Sequence, residues 1–308
     1  MEYRKIGSLN VSLAGLGCNN FGWRIDAAAT QTVVDAAIDA GINFFDTADV
    51  YGAGQSEEYL GKALKGRRDK VIIATKFGMK MGHGMEGARP HYIEQALDDS
   101  LRRLGVDCID LYQIHRPDPD TPILDTMEAL NKAVKAGKVR EIGCSNFSVD
   151  QLRAARQSHG PNYFVSVQND YSLFKRDPET NGVLDECRHT NVGFLPYFPL
   201  ANGLLTGKYR KGLPLPQGSR ATDGLVNYLA NRENKRWDLT ANRQNSLSEQ
   251  TVKVLAGLDA PVKFTAFDRQ TSLDRFRTKF EEYKYQSRQV SRSEEHTSEL
   301  QSRETIRM

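Results

Sequence analysis

The stretch INFFDTADVY at residues 42–51 holds an apolar, strand-like run that stops at an aspartate and is soon followed by a tyrosine. Two later stretches, VIIATKFG (71–78) and IDLYQIHRPD (109–118), repeat the pattern, and their apolar runs stop near a lysine and a histidine. The carboxyl ends of parallel strands meet at one face of a sheet or barrel, so we expect these polar side chains to lie together. They are Asp46, Tyr51, Lys76 and His115.

A tyrosine beside a lysine is suited to giving up a proton. The phenol alone titrates near ~10 and is a poor acid at neutral pH, but a nearby ammonium stabilises the phenolate. Lys76 can supply that charge to Tyr51, and Asp46 would keep Lys76 charged and fixed. His115 could hold a substrate oxygen beside the phenol. The four residues therefore predict a site that protonates a substrate.

Helices and strands are predicted to alternate from Gly17 onward, which favours a parallel sheet. The strands are mostly apolar, as expected when helices cover both faces. The predicted strands cover residues 42–46, 71–76, 109–114, 139–144, 164–168 and 192–197. The predicted helices cover residues 30–40, 56–65, 90–104, 122–136, 148–158 and 179–190. The order predicts an α/β fold, a (β/α)8 TIM barrel with six clear strand-helix units and the last two not recognisable.

Several helix starts carry local signals. Thr121 is predicted to cap the fourth helix, and Ser148 with Gln151 is predicted to form a capping box at the fifth. Glu57 and Glu58 open the second helix, where carboxylates interact favourably with the helix dipole. We interpret these two glutamates as a solvated pair rather than as catalytic acids.

Seven motifs, in order, resemble those of the aldo-keto reductases over the chain from Met1 to about Arg220. That family consists of (β/α)8 barrels that reduce aldehydes and ketones with a nicotinamide cofactor, usually NADPH. The motifs are GLGCNNFG (15–22), DTADVYGAGQSEEYLG (46–61), ATKFG (74–78), QIHRPDP (113–119), GCSNF (143–147), VQNDYS (167–172) and YFPLANGLLTGKYRKG (197–212).

The resemblance implies a role for each matching residue. The catalytic Asp, Tyr, Lys and His of the family correspond to Asp46, Tyr51, Lys76 and His115. The residues implied to bind the nicotinamide amide are Ser145, Asn146 and Gln168, with Tyr197 stacking on the ring. The residues implied on the diphosphate side are Phe198, Pro199, Leu200, Gly203, Leu204, Lys208 and Arg220, and the remaining cofactor contacts are Cys18, Asn19 and Asp46. The family often has serine where this chain has Phe198, so backbone amides are expected to supply the contacts there.

The composition is that of an ordinary enzyme. The formal charge of +3 over 308 residues is too small to indicate a nucleic-acid partner. Four scattered cysteines without a CxxC pair favour a reducing compartment, and the remaining histidines lack the spacing of metal ligands. There is no signal peptide and no apolar run near the ~18 residues of a membrane span. We expect a cytoplasmic protein whose partner is a small carbonyl compound, with no metal and no membrane.

The C-terminal third differs from the rest. Residues 1–231 are predicted to form the incomplete barrel, whereas residues 232–291 are unassigned and could have been read in a shifted frame. The latter region offers one helix candidate at 248–258 and one strand candidate at 262–267. The run RSEEHTSELQS resembles a translated sequencing adapter, so residues 292–308 are predicted to be an artefactual tail.

The sequence thus predicts an oxidoreductase that uses NADP(H), with NAD(H) left open, to reduce aldehydes or ketones to alcohols. Two alternatives share the barrel: a non-catalytic, cofactor-sensing regulatory subunit, and an inactive truncated or chimeric reductase. A hydrolase with paired carboxylates is disfavoured, because the strand ends carry basic and amide side chains instead.

Overall fold

A computed structural model describes residues 1–158 and 160–208, together with the strand segments 262–266, 290–297 and 300–307. The strands of the first part are β1 (Tyr3–Ile6), β2 (Leu9–Ser12), β3 (Gly15–Gly17), β4 (Phe44–Asp46), β5 (Ile72–Phe77), β6 (Ile109–Ile114), β7 (Val139–Ser145), β8 (Ser166–Asp170) and β9 (Gly193–Tyr197). Strands β3 to β9 form one parallel sheet in sequential order, curled into an open half-barrel. The predicted α/β fold, an incomplete TIM barrel, is confirmed.

The count of strands differs from the prediction. All six predicted strands are present, and β3 is a seventh, paired in parallel with β4. Sequence patterning missed β3 because three residues, two of them glycine, are too short to show a period. Within the described residues, β3 and β9 form the two edges of the sheet.

Strand register places the predicted site residues next to one another. Lys76 on β5 pairs with Gln113 on β6, and Ser145 on β7 pairs with Gln168 on β8. Lys76, Gln113 and Ser145 lie toward the carboxyl ends of their strands, and Gln168 lies at the middle of β8, level with Ser145. The sheet therefore delivers polar side chains from four neighbouring strands to one face, where a (β/α)8 barrel carries its active site.

The hairpin of β1 and β2 covers one face of the early strands. Successive strand residues point to opposite faces, so Phe44 and Phe45 enter different clusters. The cluster that includes the hairpin consists of Ile6, Leu9, Val11, Phe44, Ala74 and Leu111. The larger core lies between the sheet and its helices.

The helices connect the strands much as predicted. They are α1 (Ala27–Asp39), α2 (Gln55–Ala63), α3 (Pro90–Leu104), α4 (Ile123–Lys135), α5 (Val149–Arg156), α6 (Asp177–Thr180) and α7 (Val183–Thr190). The last predicted helix is divided in two at Gly182, which has a φ of 83°. Among the described residues, no helix has the length and apolar character needed to cross a membrane.

The two cap predictions had different outcomes. The capping box of Ser148 and Gln151 is present, with both reciprocal hydrogen bonds. The prediction for Thr121 was wrong, because α4 is capped by Pro122. The Thr121 hydroxyl donates instead to Asp118 Oδ2 at 2.7 Å, a carboxylate that also accepts the Ala88 N–H. Competition from this nearby acceptor explains the difference.

The chain divides into two compact units, Met1–Arg220 and Ala221–Met308. In the second unit three strands are described: β10 (Val262–Ala266), β11 (Val290–Thr297) and β12 (Leu300–Arg307). β12 pairs antiparallel with both others, and β10 runs parallel to β11. β10 confirms the strand candidate at 262–267, whereas the helix candidate at 248–258 lies outside the described residues. The predicted domain boundaries stay predictions.

Candidate active site

A buried ion pair lies at the centre of the predicted site. Lys76 is fully buried, and its Nζ lies 2.6 Å from Asp46 Oδ2 and donates to the Thr47 carbonyl at 3.0 Å. Gln113 Nε2 donates to the other Asp46 oxygen at 3.2 Å. Burial disfavours the ammonium, but Asp46 and the Tyr51 phenol together raise the pKa of Lys76 above its usual value. Lys76 is therefore a fixed positive charge.

Tyr51 lies beside this pair, on the tight turn that follows β4. Its ring centre is 5.4 Å from Lys76 Nζ. Burial raises the pKa of Tyr51 and outweighs Lys76, which lowers it. Lys76 therefore acts on the pKa of Tyr51 in the expected direction, but the phenol remains a weaker acid than a free tyrosine. Desolvation of the buried phenol is the reason.

His115 approaches the same phenol from the end of β6. The rings of Tyr51 and His115 are 5.8 Å apart and nearly perpendicular. Burial, Lys76 and Arg116 lower the pKa of His115 to about 3, so the imidazole is neutral at physiological pH. Its main-chain N–H donates to the Phe77 carbonyl at 2.8 Å. The four predicted residues thus lie in one cluster, in which both a cation and a neutral imidazole adjoin the phenol.

Four residues predicted to hold a nicotinamide are linked beside this cluster. Ser145 Oγ donates to the Gln168 carbonyl at 2.7 Å. Asn146 Nδ2 donates to the His115 carbonyl at 3.0 Å, and the Tyr197 hydroxyl donates to Asn146 Oδ1 at 2.8 Å. Asn146 has a φ of 64°, so the turn after β7 aims its amide at the catalytic face. The network connects the proposed cofactor residues to His115.

The turn after β9 has an unusual backbone. Positive φ angles occur at Phe198, Ala201, Asn202 and Gly203. Three main-chain N–H groups of this turn donate within it: Ala201 to the Phe198 carbonyl at 2.7 Å, and Gly203 and Leu205 to the Leu200 carbonyl at 2.9 and 3.1 Å. A Cβ built on Gly203 would lie 2.9 Å from Lys208 Nζ, so the lysine amine adjoins the turn. The half-exposed apolar side chains on this turn are Phe198, Leu200 and Leu204.

The other predicted cofactor residues have different settings. Cys18 is fully buried, its N–H donates to the Asp46 carbonyl at 2.8 Å, and burial raises the pKa of its thiol. Asn19 and Pro199 lie in the loops after β3 and β9. Arg220 lies outside the described residues. The contacts of all these residues with a cofactor stay predictions.

The interpretation of Glu57 as a solvated residue was wrong. Glu57 is fully buried, accepts a hydrogen bond from Thr75 Oγ1 at 2.5 Å and pairs with Arg103 Nε at 2.6 Å. Helical spacing offered the missing signal, because Glu57 shares a face with Leu60 and Leu64. The buried pair connects α2, β5 and α3 directly behind the catalytic turn.

The chain belongs to the aldo/keto reductase family. Its sequence matches the family over residues 14–256, which extends past the last motif recognised from the sequence alone. The half-barrel, the buried lysine-aspartate pair and the adjoining phenol agree with that assignment.

Two curated relatives illustrate the similarity. The Schizosaccharomyces pombe aldo-keto reductase yakc, whose name specifies NADP(+), is 42% identical over 227 residues, covering 70% of this chain and 66% of the relative. Aldo-keto reductase YhdN of Bacillus subtilis is 39% identical over 223 residues, covering 68% of this chain and 65% of the relative. The alignments thus span slightly less than two thirds of each relative.

Solved structures show the same architecture. A glycerol dehydrogenase from Gluconobacter oxydans superposes with a TM-score of 0.62 at 35% identity, covering 70% of this chain and 68% of that one. A thermostable aldo-keto reductase solved with the inhibitor epalrestat gives a TM-score of 0.60 at 30% identity, covering 75% and 81%.

Proposed function

We propose that this protein reduces small aldehydes or ketones to alcohols with NADPH, and that Tyr51 donates the proton to the carbonyl oxygen. The observation that carries the proposal is the buried Lys76–Asp46 ion pair, at 2.6 Å, beside the phenol. An ammonium held in a desolvated site favours the phenolate that remains after proton transfer. The neutral His115, whose ring lies 5.8 Å from that of Tyr51, can hydrogen-bond a substrate oxygen.

The residues present fit a nicotinamide dinucleotide. The Asn146 amide lies beside His115, the Ser145 hydroxyl bonds to the main chain of Gln168, and Tyr197 donates to Asn146 in the same network. We expect the left-handed turn that begins at Phe198, with the Lys208 amine beside it, to approach the diphosphate. Those residues would hold the cofactor, which supplies the hydride.

The proposed reaction needs four contributions from the side chains of the site. Tyr51 gives its proton to the carbonyl oxygen, and Lys76 stabilises the phenolate left behind. Asp46 holds Lys76 in place through its carboxylate, with Gln113 fixing the second oxygen. His115 remains neutral, because its pKa is about 3, and orients the oxygen without competing for the proton. The Lys76 ammonium is thus already in position to stabilise the negative charge that develops on Tyr51.

NADPH is proposed over NADH because the Schizosaccharomyces pombe relative, 42% identical, carries NADP(+) in its name. All four cysteines are free, which agrees with a proposed cytoplasmic location.

The test is Tyr51→Phe, which removes only the hydroxyl. General acid catalysis contributes about 10²–10⁴-fold, so kcat for an aldehyde such as a nitrobenzaldehyde should fall by that amount. The binding of NADPH, followed by fluorescence quenching, should change little because the ring remains. Turnover of Tyr51→Phe near the wild-type rate would refute the assignment of Tyr51 as the proton donor.

A further inference from the structure

A second buried carboxyl group lies on the catalytic turn, between Asp46 and Tyr51. Asp49 is 1% exposed, and no hydrogen bond of good geometry reaches either of its carboxyl oxygens, although the Val50 main-chain N–H lies near enough to favour the ionised form. Its main-chain N–H donates to the Lys76 carbonyl at 3.0 Å. Buried polar groups nearly always find partners, so an unpartnered carboxyl group at this position needs an explanation.

Charged and titratable groups face Asp49 from every neighbouring element. They are Glu57 on α2, Arg103 and Tyr92 on α3, Lys76 on β5 and Tyr112 on β6. The two cations are already paired, Arg103 with Glu57 at 2.6 Å and Lys76 with Asp46 at 2.6 Å. Asp49 is therefore the surplus carboxyl group of the cluster. Two carboxylates that share a buried site cannot both ionise easily.

We propose that Asp49 is a positioning residue for Tyr51: it holds a proton while the catalytic turn is closed, and loss of that proton loosens the turn. The inference rests on the proposed role of Tyr51. Burial, and next the charge of Glu57, raise the pKa of Asp49 to about 7. The main-chain N–H of Val50 and the charges of Arg103 and Lys76 oppose this rise more weakly.

Arg103 connects the charge of Asp49 to the position of the turn. Gly54 ends the turn with a φ of 94°, and a Cβ there would lie 2.8 Å from Arg103 Cδ. When Asp49 ionises, it competes with Glu57 for the guanidinium. A shift of the Arg103 side chain removes the surface against which Gly54 packs, so the turn that carries Tyr51 loses its support.

The direction of the pH effect follows from proton linkage. The pKa of Asp49 is higher in the folded protein than in the unfolded chain, so the folded state binds the extra proton between about pH 4 and 7. The contribution of Asp49 to stability therefore falls as the pH rises through that window. Asp49→Asn, which keeps the shape and removes the charge, should abolish this fall.

The direct test is infrared spectroscopy of the full chain as a function of pH. At about pH 6 ordinary carboxylates are ionised, so a band from a protonated carboxylic acid reports a buried acid. The wild type should show this band and lose it with a midpoint near 7. Asp49→Asn should lack the band, and Glu57→Gln should shift its midpoint to lower pH because the repelling charge is gone. Glu58→Gln, one residue along the same helix, is the matched control and should leave the midpoint unchanged.

Two results would overturn the proposal: the absence of the band in the wild type, or its persistence in Asp49→Asn. A band that is lost only in Glu57→Gln would place the proton on Glu57 and also overturn the assignment. Aldehyde reduction provides the functional readout, since kcat of the wild type should fall above about pH 7 while Asp49→Asn stays flat. Equal pH profiles in the two proteins would refute the positioning role. If neither protein turns over while the infrared titration appears as described, the proposed function fails separately from the proton site.

Discussion

Replacing Lys76 by methionine removes the charge beside the phenol while keeping most of the buried volume. Lys76 Nζ lies 5.4 Å from the centre of the Tyr51 ring. At an effective dielectric of ~20, a unit charge at that distance stabilises a phenolate by about 3 kcal/mol. Because 1.36 kcal/mol corresponds to a factor of ten, kcat for aldehyde reduction should fall by roughly 10²-fold.

The same substitution should move the pH dependence in a defined direction. Lys76 lowers the pKa of Tyr51 against the larger effect of burial, so its loss raises that pKa further. In the reverse reaction, alcohol oxidation, the phenolate acts as the base, so kcat increases as the pH rises through the pKa of Tyr51. In Lys76→Met this increase should move to higher pH. An unchanged profile in Lys76→Met would refute the electrostatic link between Lys76 and Tyr51.

A stability measurement separates this effect from unfolding. Asp46 is 17% exposed and loses its cation in Lys76→Met, and breaking a buried pair in this way costs about 3–5 kcal/mol. The double variant Asp46→Asn with Lys76→Met should recover part of that loss in urea unfolding. It should not recover kcat, because the charge that stabilises the phenolate is still missing. Full recovery of kcat in the double variant would mean that the single substitution acted only through folding.

Two further predictions concern stability, each measured by urea unfolding against a variant. Because the pKa of His115 is lowered to about 3, the unfolded chain binds a proton that the folded chain does not, so this residue makes stability rise between about pH 3 and 6.5. His115→Gln should remove that part of the slope, and an unaltered slope would mean that the pKa of His115 is the same in the folded and unfolded chains. Asp110 is 2% exposed and binds Arg68 at 2.6 Å and Arg140 at 2.7 Å, so Asp110→Asn should lower the unfolding free energy by about 2–3 kcal/mol. Since Asp110 lies at the opposite end of β6 from His115, a changed kcat profile in this variant would contradict the proposed site.

The clustering of Asp46, Tyr51, Lys76 and His115 was predictable because each lies at the carboxyl end of a strand or shortly after it. An apolar run that stops at Asp46 or Lys76 identifies both the strand and the face to which the side chain is delivered. The rules of parallel sheets then bring these residues together without knowledge of the loops. The 2.6 Å pair of Lys76 and Asp46 is the outcome that this reasoning implied.

The supporting cluster was not predictable in the same way. Glu57 and Arg103 are 46 positions apart on two helices, and each is a residue type usually found at the surface. Only the packing of α2 against α3 turns them into a buried pair. The net effect on Tyr51 depends on desolvation, which is a property of the assembled site rather than of the residues that form it.

The transfer of label from deuterated NADPH tests the central claim most directly. Residues 1–308 would be incubated with NADPH that carries deuterium at the nicotinamide C4 position and with an aromatic aldehyde, and the alcohol analysed by mass spectrometry. The account predicts a deuterated alcohol from the wild type and at least about 10²-fold less from Tyr51→Phe. Binding of NADPH without labelled alcohol from the wild type would contradict the account and favour the cofactor-sensing or inactive alternatives, and equal label from both proteins would remove Tyr51 from the chemistry.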